Sequence, residues 1–303
     1  MLQTSFLKFY ARNELKGEYL RAFVGALVVI IPAYLMSNID TLALQMGIEW
    51  YGVSLLLSIL SGIFVTEILN VSFIKSLLRM KPVKESLGDE KRYEPETVLS
   101  GFGENYFKTL KTTFVRQLYL FGWGLLGCIP ILLFAGILAY LSTTPEIAEL
   151  MNLLGQYQLS PSDDMALYIG NYIAEKCSYV IPLVTGTYIL TFVFMIPAIY
   201  KNYEYIMIPF IIADNTGITT KEAFRKTREI MHGYRKTYFY IELSFILLTF
   251  IPALIMSVTM SVTLTFIATA AIEPYMKMTF LQFYKERNLM LKPDAEGENK
   301  NED

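Results

Sequence analysis

Apolar residues along this chain are gathered into blocks of membrane-crossing length. They are separated by stretches in which polar and apolar positions recur at helical spacing. The blocks fall at about residues 22–36, 51–75, 119–141, 179–200, 238–256 and 262–283. A bilayer core of roughly 30 Å takes about 20 helical residues, so the pattern predicts six membrane-spanning helices in an all-α integral membrane protein. The second block continues from Tyr51 to Leu78. At 1.5 Å per residue that is about 42 Å of helix. It is longer than the hydrocarbon core and is expected to tilt, or to emerge into water at its basic end near Lys75 and Arg79.

Between the blocks lie three basic amphipathic stretches. Residues 3–20 place Phe6, Leu7, Tyr10, Leu15 and Tyr19 among Lys8, Arg12 and Lys16, the signature of an interfacial helix; Gly17 is expected to loosen its end. Residues 104–118 place Phe107, Leu110, Phe114 and Leu118 at helical spacing among Lys108, Lys111 and Arg116. A third runs over 220–234, opened by a capping box of Thr219 and Glu222. Each leads into one span that returns as the next, a weak internal repeat that makes three hairpins. A short loop carrying Asp40 and Glu49 joins the first pair. A polar loop, 79–105, holds Gly101 and Gly103 as a flexible joint. The middle pair is joined by a hydrophilic excursion, 142–176, with two short helices. The second begins at Ser160-Pro161-Ser162-Asp163, read as a cap with proline at the first helical position. Residues 205–212 read as a bent extension of the fourth span. Residues 1–288 thus form a single polytopic membrane domain, and the tail 289–303, which lacks apolar periodicity, is expected to be disordered and cytoplasmic.

The distribution of lysine and arginine sets the expected orientation. With six spans, 25 of the 26 positive charges fall on one side, and Lys176 stands alone on the other. Both termini are therefore expected in the cytoplasm.

Composition agrees with this pattern. Hydrophobic residues make up 53% and charged residues 18%, against about 25% charged in soluble domains, and the mean hydropathy is +0.39. Cys128 and Cys177 lie at different expected depths, about 20 Å apart along helices, and are expected as free thiols. The N-terminus does not read as a cleavable signal peptide, because its first apolar run comes late and lacks a small-residue cleavage site. A single histidine, His232, excludes multi-histidine metal sites and HExxH chemistry. No aspartate lies within a span, and no phosphate-binding loop of the GxxxxGK[ST] type occurs. No catalytic residue, metal site or cofactor is expected, and the chain is not expected to be an enzyme.

Charge inside a membrane is the usual pointer to function. Glu67, Glu242 and Glu273 fall within spans, and a mid-bilayer carboxylate costs about 2.5–3.5 kcal/mol on insertion scales. They either converge, with Asn70 and Lys277, in a polar pocket open to the cytoplasm, or are each paired locally; Glu273 and Lys277 have the favourable i, i+4 order. Pro32, Pro130, Pro197 and Pro252 each follow an isoleucine within a span. They are either hinges or features of packing shape. Lys108, Lys111, Arg116, Arg225, Lys226 and Arg228 suit anionic lipid headgroups. The expected partners are the bilayer and a membrane protein; nucleic acid is not among them.

The order IPAIYKNYEYIMIPFIIADNTGITTKEAFRKTREIMHGYRKTYFYIELSFI, followed by EPYMKMTFLQFYKE and preceded by an ARNELKGEYLRA opening, resembles the bacterial membrane proteins grouped as domain of unknown function 975. The resemblance is strongest from Ile196 to Tyr284. It departs from the family pattern at Ile196-Pro197-Ala198, where Ile-Pro-Gly is usual, and at Ile-Leu-Leu after LSF, where Ile-Gly-Trp is usual. The excursion 142–176 is also longer than usual. The resemblance implies a multi-pass protein of the cell membrane of Gram-positive-type bacteria and supplies no activity and no catalytic residues. Two functional classes follow. One is a non-enzymatic scaffold, partner subunit or envelope factor interacting with lipid. The other is a small permease-like transporter whose intramembrane glutamates line a cytoplasm-facing pathway.

Overall fold

A computed structural model describes residues 3–80, 93–103 and 105–291, and the described residues are helical with no strands. In chain order the helices are α1 (Thr4–Leu15), α2 (Tyr19–Met46), α3 (Ile48–Ser61), α4 (Glu67–Leu78), α5 (Tyr106–Leu141), α6 (Pro145–Leu159), α7 (Asp163–Lys176), α8 (Val180–Tyr205), α9 (Ile208–Asp214), α10 (Thr220–Met231), α11 (Arg235–Leu243), α12 (Ile246–Thr259) and α13 (Val262–Met290). A π-helical segment, Gly62–Thr66, joins α3 to α4, and a 3₁₀ helix, Pro95–Phe102, precedes α5. Four stretches are long and apolar enough to cross a membrane: Tyr19–Met46, Ile48–Leu78, Tyr106–Leu141 and Val180–Asp214. A fifth is α11 with α12, bent by 44° at their junction. The sixth expected span falls in α13, which has the length but carries Glu273, Lys277, Lys285, Glu286 and Arg287.

Several boundaries differ from the sequence expectation. The loop expected around Asp40 is helical to Met46, because its polar side chains bond within the helix or to its neighbour. Asn38 donates to the Tyr34 carbonyl at 2.7 Å, and Ser58 of α3 donates to Asp40 at 2.9 Å. The turn is compressed into Gly47, at φ 127° and ψ 166°, a region open essentially to glycine alone. Residues 106–118 of the amphipathic stretch and the third span form one unbroken helix; Thr113 folds back onto the Thr109 carbonyl at 3.0 Å. Pro161 precedes the α7 cap instead of following it, and Ser162 is the capping residue. The third basic helix stops at Met231, and Gly233, at φ 74°, turns the chain into α11. The expected fifth span is interrupted at Ser244–Phe245, where Phe245 is fully buried against Tyr275 and Phe280. Gly101 is not a loose joint: it belongs to the 3₁₀ helix, and a Cβ there would meet Ser72 Oγ at 2.0 Å. The tail from residue 292 lies outside the described residues, and Asn288 to Met290 are helical. The capping box at Thr219 and Glu222 and the two short helices in 142–176 are as read from the sequence, and Gly17, at φ 89°, follows the end of α1.

The chain divides into two compact units, Met1–Gln117 with Tyr203–Asp303, and Leu118–Asn202. In the first, α2 packs on α3 and α13, α12 on α13, and α4 on α9 and the 3₁₀ helix. Its core is continuous: Ile68, Phe73, Ile74 and Leu77 of α4, Ile208 and Ile211 of α9, Ile230 of α10, and Leu281, Phe283 and Tyr284 of α13 are buried. Tyr93 closes one side of it, its hydroxyl accepting from Ser76 Oγ at 3.1 Å; burial pushes its pKa up to about 12. The second unit has a small cluster of Ile147, Leu150, Ile169 and Cys177, against which Leu138, Leu141 and Val180 pack. Both cysteines are free, Cys128 exposed and Cys177 buried.

Candidate functional site: paired charges on apolar helices

Glu67 opens α4 immediately after the π-helical segment, the kind of helix defect that often marks a functional position. Its carboxylate accepts from Gln117 Nε2 at 2.7 Å and faces Arg116 Nη1 at 3.3 Å. Both side chains of the ion pair are largely buried, Arg116 at 13% and Glu67 at 17% exposure. Arg116 Nε is buried without a hydrogen-bond partner among the described residues. Adjacent positions on α5 thus supply a charged and a neutral donor to one carboxylate, which offsets much of the cost of burying it.

Glu242 accepts a short hydrogen bond from the Tyr203 hydroxyl. Glu273 pairs with Lys277 one turn later, at 3.3 Å. Tyr238, one turn before Glu242 on α11, is buried, stacked on Phe280 with ring centroids 4.9 Å apart and edge-on to Phe283 at 5.4 Å and to Tyr203 at 6.1 Å. Each of the three glutamates thus has a local partner: Glu67 with Arg116 and Gln117, Glu242 with Tyr203, and Glu273 with Lys277. Asn70 has no hydrogen-bond partner among the described residues.

Pro32, Pro130, Pro197 and Pro252 lie inside α2, α5, α8 and α12. The marked bend of the fifth candidate span is at the α11–α12 junction. Of the basic residues read as headgroup contacts, Arg116 is turned inward onto Glu67. Lys108 donates to the Gly217 carbonyl, Arg225 pairs with Glu229 at 3.7 Å, and Arg228 Nε donates to the Phe224 carbonyl at 3.1 Å. Lys226 lies 5.9 Å from the Tyr284 ring, and Lys111 is exposed.

Three polar groupings were not singled out from the sequence. Glu204, among the most buried charged residues, pairs with Arg235 at 3.3 Å, and its carbonyl accepts from Thr227 at 2.9 Å. A charge inside the apolar run IPAIYKNYEYIMIPF was the available signal. Tyr284 donates to Asp214 at 2.7 Å, and its ring stacks on Phe210 with centroids 6.2 Å apart. Arg287 links α13 to the end of α10, donating to the Ile230 carbonyl at 3.2 Å, with its guanidinium 3.6 Å above the Tyr234 ring. These contacts fix helices to one another and leave no reacting geometry. Burial, with Glu146 and Glu149 nearby, raises the Cys177 pKa, which disfavours the thiolate. Among the described residues no group of three histidine, cysteine or acidic side chains could hold a metal ion.

No curated protein and no solved structure matches the chain. A family model described as protein of unknown function (DUF975) matches residues 1–288. An all-α chain with four to five candidate spans, matched over nearly its whole length by that model, belongs to this family of uncharacterised proteins.

Proposed function

We propose that this protein is a multi-pass component of the bacterial cell membrane without enzymatic activity, a scaffold or partner subunit that holds lipid and protein in place. In this reading α13 is the sixth span, the helices form three hairpins, and both termini face the cytoplasm with the basic helices. The observation that carries it is the pairing of the intramembrane carboxylates. Glu67 is held by Arg116 and Gln117, Glu242 by Tyr203, and Glu273 by Lys277. A carboxylate held by internal donors at the time of folding is a structural tie, whereas one that carries a cation or proton across a bilayer must give up and regain its partner. A second reading, a permease-like transporter, draws on the π-helical break immediately before the largely buried Glu67.

Thiol accessibility separates the two. Cys128 and Cys177 are replaced, and single cysteines are placed at Thr66, Asn70 and Ile272, with Ser100 and Ser160 as controls on the two expected faces. Sealed vesicles are treated with a small charged thiol reagent from each side. Protection of the three internal positions while the controls react is the expected outcome. Reaction of Thr66→Cys and Ile272→Cys would place water in the middle of the protein and overturn the scaffold reading in favour of transport. Labelling of Ser100→Cys and Ser160→Cys from the same side would overturn the topology.

A further inference from the structure

α1 presents two faces. Leu7, Ala11 and Leu15 are buried, and α1 packs along α13. Phe6 and Phe9 are exposed at 57% and 59%. The helix is pinned by two of its charges. Glu14 pairs with Lys285 at 3.3 Å. Lys8 donates to the Ser244 carbonyl at 2.8 Å and lies 4.1 Å over the Phe245 ring, where a cation complements the open carbonyl end of α11. Arg12 and Lys16 are different. Both are exposed, and neither has an acidic partner among the described residues.

These two cations line a cavity of about 520 Å³ together with Asn13, Gly17, Tyr19 and Tyr275. No acidic residue lines it. Its floor is rigid for a physical reason. Pro274 removes the amide that would serve the Ala270 carbonyl in α13, and the next carbonyl, Ala271, accepts a short hydrogen bond from the Tyr19 hydroxyl. Gly17, at φ 89°, makes the turn between α1 and α2 that brings Tyr19 back toward the Arg12 and Lys16 side. The volume falls within the usual range of small-ligand sites, roughly 300–1,000 Å³. Phe6, Phe9, Asn13 and Lys16 follow one another at i, i+3, i+7 and i+10, a single stripe on α1. An apolar exposed strip therefore runs directly into a basic, hydrogen-bonding hollow.

We propose that this cavity is a specific site for an anionic glycerophospholipid. Its phosphodiester lies between Arg12 and Lys16, its glycerol headgroup meets Asn13 and Tyr19, and its acyl chains leave along Phe6 and Phe9. The proposal deepens the membrane-component reading and rests on its placement of α1 at the membrane surface.

The test uses the purified full-length protein in detergent micelles, titrated with phosphatidylglycerol or phosphatidylcholine and read by native mass spectrometry as retained lipid per protein. The wild type is expected to retain one phosphatidylglycerol in preference to phosphatidylcholine. Arg12→Gln with Lys16→Gln is expected to weaken that retention by about 30-fold, two surface charges' worth. The charge-preserving exchange Arg12→Lys with Lys16→Arg should keep most of it, and Lys176→Gln should leave it unchanged. Wild-type retention in the neutralised double variant would overturn the proposal. So would equal retention of the two lipids by the wild type, or displacement of phosphatidylglycerol by millimolar inorganic phosphate, which would identify a free-phosphate site. Each of these outcomes leaves the scaffold reading standing, because that reading is judged separately by thiol protection at Thr66, Asn70 and Ile272.

Discussion

The two units of the chain bury their residues in different ways. Met1–Gln117 with Tyr203–Asp303 contains a continuous core, from Ile68 and Phe73 to Leu281 and Tyr284, and every ion pair between helices described above. Leu118–Asn202 carries one small cluster around Cys177 and exposes Phe121, Leu132, Leu133, Tyr188 and Phe192. Apolar surface on that scale is what a lipid-facing helix presents, since hydrocarbon is as good a neighbour for leucine as another leucine. The first unit holds its charges by arranging partners for them in its own fold. The apolar stretches of the second, 118–141 and 180–200, carry no charged residue.

The sharpest way to break this contrast is to cut side chains of equal size from the two units. Phe73→Ala removes a fully buried ring and should cost about 3–5 kcal/mol, read as a loss of thermal stability in detergent. Phe192→Ala, at 69% exposure, should change stability by less than about 0.5 kcal/mol; comparable losses would mean that the second unit has a core of its own. Next in size is Glu67→Ala. It strands Arg116 and should cost about 2–3 kcal/mol, whereas Glu67→Ala combined with Arg116→Ala should cost less than the two single changes added together.

Glycine contacts sharpen the same comparison. A Cβ at Gly25 would lie 2.0 Å from the Tyr93 hydroxyl oxygen and 2.9 Å from its ring. Gly25→Ala should therefore cost about 2 kcal/mol, because the ring is buried and tied to Ser76. A Cβ at Gly127, in the second unit, would meet the Met195 sulfur at 2.3 Å. That thioether is the end of a flexible side chain, so Gly127→Ala should cost less than about 1 kcal/mol. Smaller again is the α10 cap. Thr219→Ala should cost about 1 kcal/mol, seen as faster amide exchange at the start of α10.

The same cap gives a pH dependence. Hydrogen bonds from the Thr219 side chain and backbone lower the Glu222 pKa below the ordinary 4.5. Its contribution is thus complete above that ordinary value and lost as pH falls through the lower folded value. Amide protection at the start of α10 should fall over that acid range in the wild type, and Glu222→Gln should remove the dependence.

Much of this was legible in the chain. The four clear candidate spans, the capping box at Thr219 and the short helices after Ser142 follow from local periodicity and capping chemistry, which neighbouring residues alone decide. The family pattern was legible too. The helix boundary at Ser244–Phe245 was not, since nothing in YIELSFILL breaks a helix; burial of Phe245 against α13 and the bond from Lys8 make the turn. Nor was the continuity of α5, whose change from amphipathic to apolar reads like an ending. The candidate site divides in the same way. Glu67, Glu242 and Glu273 stand out as charges among apolar neighbours, and the Glu273–Lys277 pair is set by helical spacing. That Arg116 turns inward to Glu67, that Tyr203 donates to Glu242, and that Arg12 and Lys16 line a cavity with Tyr275 depends on residues tens to hundreds of positions apart. Sequence determines which segments are helical and apolar through local chemistry; only tertiary packing decides which charges meet, because a buried charge takes whatever partner the fold brings within reach.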